Sequence, residues 1–246
     1  MYLADINYMN QYEDFTLGSS LSDWNDYVAT LVRTISIMCQ LWILDGKSSD
    51  VFLKWPSGTV FLGQVWPGVT VYADWFHPQS GTWWTNQIKT FHQMGSFDGL
   101  WIDMNEASNF VTPPGYEPAY MINNNGGWGV QGLNTRTLST NLAHYSGISE
   151  HDVHNLFGHY DSIHTHNVLS ALNPGQRTFI LTRSSFAGTG QAHSQKWNGD
   201  NAATWDDLYL SVPQIMSNDW NTNGRFRHLR FQRRHHGRIA QPLGTA

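Results

Sequence analysis

Cysteine is nearly missing from this 246-residue chain. Cys39 stands alone, so no intramolecular disulfide can form, and a small scaffold stapled by disulfides is excluded. With no partner motif around it, Cys39 is expected to be a buried apolar residue. Charge is scarce as well: Asp, Glu, Lys and Arg make up 13% of the residues against 14% aromatic ones, 12 of them Trp. Such a composition excludes disorder over most of the length. No stretch reaches the roughly 18 apolar residues that a bilayer-spanning helix needs. The opening residues are neither basic enough nor long enough for a signal peptide, and there is no Asn-x-Ser/Thr sequon. The compartment stays open.

Basic residues are missing from most of the chain. Residues 1–217 hold eight Lys and Arg against 18 Asp and Glu, a balance that disfavours broad phosphate binding and suits a neutral polar ligand better than a nucleic acid. Residues 218–246 reverse this, with six Arg, no Lys and one acid. The two parts do not share one composition. We read 1–217 as a domain and 218–246 as an Arg-rich tail, disordered or translated out of frame; an arm that binds nucleic acid would show itself by a steep salt dependence.

Gly and Pro divide the body into short apolar runs, each followed by a polar loop and often by a helix-like stretch, which predicts an α/β fold. Residues 97–102 and 178–182 are apolar on both faces, as strands buried in a parallel sheet should be. Residues 83–94 carry apolar side chains at 84, 88 and 91, the spacing of a helix feeding the next strand. Residues 203–216 repeat that pattern, although Pro213 should kink or break the helix. The Asn-, Gly- and Thr-rich stretch 123–141 is expected to be a surface loop, and no internal repeat is present.

In α/β folds ligands meet the carboxyl ends of parallel strands. Three places qualify: Asp103 and Glu106 after the run ending at 102, Arg183 after the run ending at 182, and Gly199 with Asp200 before a helix beginning near Ala202. Each has a plainer explanation. Asp103 could be a cap or loop residue, Asn201 an N-cap, Arg183 an ion-pair partner, and the tryptophans core. The combination of two separated carboxylates, an arginine and several tryptophans suits glycoside chemistry, in which one carboxyl attacks or stabilises an oxocarbenium-like centre and the other moves a proton.

The motif Trp-Ile-Asp-Met-Asn-Glu at 101–106 resembles the signature of glycoside hydrolase family 31, the α-glucosidases and α-xylosidases. The resemblance extends to Asp-Ile-Asn-Tyr-Met (5–9), Val-Trp-Pro-Gly (65–68), Leu-Thr-Arg-Ser-Ser-Phe (181–186) and Trp-Asn-Gly-Asp-Asn (197–201), and covers most of 1–216. It implies a partial (β/α)8 TIM barrel, lacking its first and last strands, that releases terminal α-linked glucose from oligosaccharides. Asp103 would be the nucleophile and Asp200 the general acid/base. Arg183 and Trp197 would line the glucose subsite, Trp66, Trp101, Met104 and Phe110 would wall it, and Asp5 and Ile6 would contact sugar hydroxyls and the aglycone side. The reaction would be retaining, with the two carboxyls about 5–5.5 Å apart, and would need no metal or organic cofactor. An α-xylosidase, or an inactive remnant that only binds carbohydrate, are the competing implications.

The chain departs from the family pattern in four places. At 28–46 the usual strand ending in Leu-Asp-Pro is replaced, which puts the barrel strand expected there in question. Lys196 stands for a usual His and Asn7 for a usual Asp. After Met216 neither the next strand motif nor the Arg-Asn-His element follows. A chain opening almost on Asp5 is expected to form a marginal, open barrel. Finally, His151, His154, His164 and His166 invite a metal reading, but their spacings match no zinc pattern and the resemblance at 153–158 implies an ordinary barrel helix.

Overall fold

The computed structural model describes residues 34–37, 43–65, 68–94, 96–111, 136–192, 194–199 and 204–218. Asp5, Ile6, Asn7, Cys39, Trp66, Asp200, Asn201, residues 123–135 of the expected loop and residues 219–246 lie outside them. In chain order the main elements are β1 (Thr34–Ile37), α1 (Ile43–Ser48), β2 (Gly63–Val65), β3 (Gly68–Thr70), α2 (Ser80–Met94), β4 (Gly99–Ile102), α3 (Glu150–Val153), α4 (Phe157–Leu172), β5 (Phe179–Thr182), β6 (Ser194–Lys196) and α5 (Trp205–Asn218).

Four of the strands form one parallel sheet in the order β1-β4-β5-β6, while β2 and β3 make a separate antiparallel pair. Among the described residues the sheet is open. β1 answers the question raised by the departure at 28–46: Thr34–Ile37 pairs in parallel with Gly99–Ile102, so a strand is retained there despite the altered sequence. β4 and β5 sit where the doubly apolar runs predict them, and every residue of β4 is buried. Gly99 is required at the β4–β5 seam, because a Cβ there would lie 2.6 Å from the Phe179 carbonyl oxygen.

Strand alternation splits the apolar residues between two faces. Leu100, Ile102 and Ile180 join the large core that α2 and α4 close with Trp84, Ile88, Phe91, Phe157, Val168 and Leu169. Trp101, Leu181 and Trp197 form a second cluster. In α2 the residues at 84, 88 and 91 are all buried, as their spacing requires, and removing each such side chain from water stabilises by roughly 1.5–3 kcal/mol. α5 runs unbroken from Trp205 to Asn218 through Pro213. The expected break does not occur, and the helix turns Trp205, Tyr209, Val212 and Met216 outward, each more than half exposed. No described helix is long and apolar enough to cross a membrane.

Candidate active site

Asp103 is the first residue beyond β4, and its side chain is only 11% exposed. Arg183, the first residue beyond β5, brings its Nε within 3.7 Å of Asp103 Oδ1. The same guanidinium grips Glu106 with two parallel bonds, Nε to Oε1 at 2.7 Å and Nη2 to Oε2 at 2.8 Å, the fork geometry that fixes a planar pair. One positive charge therefore stands between two carboxylates at the carboxyl ends of neighbouring strands.

The backbone of this loop is held in an unusual shape. Met104 has a φ of 59°, a left-handed conformation that costs a non-glycine residue on the order of 1–3 kcal/mol. Its side chain is anchored against Val65 and Phe110, and the Phe110 N–H donates to the Gln64 carbonyl at 2.8 Å. On the other side of the site Trp101 and Trp197 meet edge to face at 5.0 Å, and the Trp197 N–H donates to the Thr182 carbonyl at 2.8 Å. The Trp101 indole N–H finds no acceptor among the described residues.

Asn105, buried, stitches the two strand-end loops together. Its Nδ2 donates to Thr182 Oγ1 at 2.8 Å and to Asp161 Oδ2 at 3.0 Å, and its Oδ1 accepts from the Ser184 N–H at 2.8 Å. Burial pushes the Asp161 carboxyl up to about 7, against the opposing effect of the hydrogen bonds from Asn105 and Thr165. Asp103, Asn105 and Asp161 border one cleft of about 80 Å³ that Trp84 and Tyr72 also line.

A second polar network ties the far end of the loop to the scaffold. His144, buried, lies between Asp74 (Nδ1 to Oδ1, 2.7 Å) and Glu150 (Nε2 to Oε2, 2.6 Å). Glu150 continues to His154 Nδ1 at 2.6 Å, His154 Nε2 to Thr137 Oγ1 at 3.2 Å, and Thr137 donates to the Ala107 carbonyl at 2.7 Å. Burial alone would lower the His144 pKa, but the hydrogen bonds and charges of Asp74 and Glu150 outweigh it and raise it to about 9. Burial would raise Glu150, yet the two histidines hold it below its usual value.

α4 lies close enough to feel any added bulk. A Cβ on Gly158 would meet Ser184 Cβ at 2.7 Å and the carbonyl oxygens of Asn105 and Ser184 at 2.8 and 2.9 Å. Because two of those atoms are backbone, Gly158→Ala is expected to lower stability by about 1–3 kcal/mol, the usual cost of overpacking. A urea midpoint unchanged from the parent would show that the two loops yield freely.

The model for the TIM-barrel domain of glycosyl hydrolases family 31 matches residues 1–222. The chain belongs to that family. An α-glucosidase of Hordeum vulgare is 37% identical over 239 residues, covering 87% of this chain and 26% of its own length. Alpha-xylosidase 1 of Arabidopsis thaliana is 36% identical over 200 residues, covering 69% of this chain and 21% of its own. Among solved structures, the glucosidase II alpha subunit superposes with a TM-score of 0.58 at 28% identity, over 76% of this chain and 19% of that one. The chain thus spans about a quarter of these relatives' length, and the (β/α)8 fold is that of the family domain.

Of the residues expected at a family 31 site, the structure brings Asp103 beside Arg183, Trp101 against Trp197, and Met104 against Phe110. Asp5, Ile6, Trp66 and Asp200 lie outside the described residues. Sequence reasoning marked Glu106 at the strand end but gave it no part in the site, and missed Asn105 and Asp161. The histidines of 150–166 have structural partners: His154 pairs with Glu150, His159 with Thr189 and His166 with Thr178, and His164 stacks on Trp75. No group of three or more His, Cys, Asp or Glu suited to a metal occurs among the described residues.

Proposed function

We propose that this chain carries the catalytic site of an α-glucosidase-like retaining glycoside hydrolase that releases terminal α-linked glucose from oligosaccharides. The observation that carries this reading is the position of Asp103: a nearly buried carboxylate on the loop after a parallel strand, 3.7 Å from the Arg183 guanidinium, in a family 31 barrel domain. The two plant relatives bear the names α-glucosidase and α-xylosidase. In this scheme the sheet β1-β4-β5-β6 is a stretch of barrel wall within a domain spanning 1–217, and 218–246 is the Arg-rich tail that follows it in the chain.

The chemistry follows from the groups. Asp103 attacks the anomeric carbon while Asp200, protonated, gives its proton to the departing oxygen. The covalent glucosyl–Asp103 ester then falls to water, from which Asp200 takes a proton back. Arg183, fixed by Glu106, offers a rigid positive edge beside the attacking carboxylate. Trp101, Trp197, Met104 and Phe110 supply the walls against which the C–H faces of the sugar pack, with Trp66, Asp5 and Ile6 completing the subsite.

The test is release of p-nitrophenol from aryl α-glucoside and aryl α-xyloside by the purified chain. Turnover of the glucoside supports the reading, preference for the xyloside shifts it to an α-xylosidase, and binding of an α-glucoside without turnover leaves a carbohydrate-binding remnant. Asp200→Ala separates the acid role from the nucleophile. Oligosaccharides, whose leaving groups need a proton, should lose on the order of 10²- to 10⁴-fold in kcat, whereas p-nitrophenyl substrates should lose much less in the first step. Equal losses on both would remove Asp200 from that role.

A further inference from the structure

Asp161 has no place in the chemistry above, yet its carboxylate is bonded to Asn105, the amide that joins the β4 and β5 loops. It sits on α4, remote in sequence from both loops, on the buried face formed by Phe157, Gly158, Asp161, Ser162, Thr165, Val168 and Leu169. Its Oδ2 takes one N–H of the Asn105 amide; the other goes to Thr182 Oγ1, which in turn donates to the Ser184 carbonyl at 2.7 Å. With both N–H groups engaged, the amide can face only one way, and its oxygen must meet the Ser184 N–H. Asn105 is two residues beyond Asp103, and Thr182 and Ser184 flank Arg183, so this amide sets the register between the attacking carboxylate and the guanidinium.

Asp161 is itself held from behind. Thr165 Oγ1 approaches its Oδ1 at 3.4 Å, and the Trp84 indole donates to the same hydroxyl at 2.9 Å. A buried carboxyl is expensive, and desolvation raises its pKa to about 7. A site chosen for stability alone would place an apolar or amide side chain there.

We propose that Asp161 is a positioning residue: acting through the Asn105 amide, it holds the Asp103 loop in register with Arg183. The inference rests on the α-glucosidase reading of this site. Removal of the acceptor frees one Asn105 N–H, lets the amide rotate, and releases Ser184, while the strands and Asp103 itself are untouched. Displacements of this kind cost turnover rather than substrate binding.

Two measurements on the full chain test it, with Asp161→Ala and Asp161→Asn. The asparagine retains a neutral oxygen acceptor toward Asn105 and provides a variant that should fold at least as well as the parent. Asp161→Ala is expected to lower kcat on an aryl α-glucoside on the order of 10- to 100-fold with KM nearly unchanged, and Asp161→Asn to restore it to within a few-fold of the parent. Amide hydrogen exchange supplies a readout independent of turnover: the Ser184 N–H should exchange faster in Asp161→Ala while the amides paired between β4 and β5 keep their protection. A kcat unchanged in folded Asp161→Ala, or a Ser184 amide as protected as in the parent, overturns the proposal. If the parent chain shows no turnover, the functional reading fails by itself, and Ser184 exchange alone then decides whether Asp161 positions the loop.

Discussion

Asp103→Ala is expected to lower kcat on an aryl α-glucoside by roughly 10⁴-fold or more, the scale on which loss of a covalent nucleophile acts. Neither nearby carboxylate among the described residues can replace it. Glu106 is committed to Arg183 through two bonds of 2.7 and 2.8 Å, and Asp161 is bonded to Asn105 beneath the loop. The truncation opens a small space on the face from which Asp103 would attack. Added azide should enter it, react with the aryl glucoside, and yield the β-glucosyl azide, because a single displacement inverts the anomeric carbon where two in succession retain it. Proton NMR of the product reads the anomer directly. Rescue giving the α-azide, or turnover within tenfold of the parent, would remove Asp103 from the nucleophile role.

His144→Ala is expected to destabilise the chain by about 3–5 kcal/mol at neutral pH, because it leaves the buried carboxylates of Asp74 and Glu150 facing each other without the cation that separates them. Asp74 keeps backbone donors from Phe76 and Tyr145, and Glu150 keeps His154, so the penalty should stay within that range. Its pH dependence has a definite sign. His144 is raised from 6.5 to about 9 on folding, so its contribution is fully present below 6.5 and lost as pH rises through about 9. Glu150 is lowered from 4.5, so its contribution is present above that value and lost in acid. The difference in unfolding free energy between parent and His144→Ala, measured by urea titration, should therefore be greatest between roughly pH 5 and 6.5 and shrink toward pH 9. A difference that stays flat between roughly pH 7 and 9 would mean that His144 is already neutral in the folded chain at neutral pH.

Much of this arrangement was legible in the sequence because it is local. Residues 97–102 and 178–182 declare buried strands by being apolar on both faces, and a strand's last residue fixes where the next side chain emerges; Asp103 and Arg183 could be named from that alone. The resemblance of 101–106 and of 181–186 to family 31 motifs then implied the roles proposed for them. What escaped is what depends on packing between distant segments. An aspartate on a helix face ordinarily meets water, and nothing in a single residue type tells that Asp161 faces Asn105 across 56 positions. A weak cue existed: Asp161 falls in the same stripe as Phe157, Thr165, Val168 and Leu169, so the helix period already placed it inward. His144 and Asp74, 70 positions apart, gave no cue, and the histidines after Glu150 drew attention toward metal spacing instead. At 28–46 an unfamiliar sequence still forms β1, since backbone pairing along the β4 edge asks for extended residues rather than particular ones. Pro213 marks the opposite case, since α5 continues past it without a break.

The register of the sheet also sets a clock. Gly99 pairs with Thr34 behind it and with Phe179 ahead, so each edge of β4 is satisfied only by a strand far along the chain. With translation at roughly 5–20 residues per second, β4 waits several seconds after emerging before its β5 partner exists. During that interval its Leu-Trp-Ile edge is a bare template for any other extended chain, and folding, once possible, must close long loops before any contact rewards it. The same parallel pairing that sets Asp103 beside Arg183 thus leaves one edge of β4 unpaired until the chain has been made as far as β5.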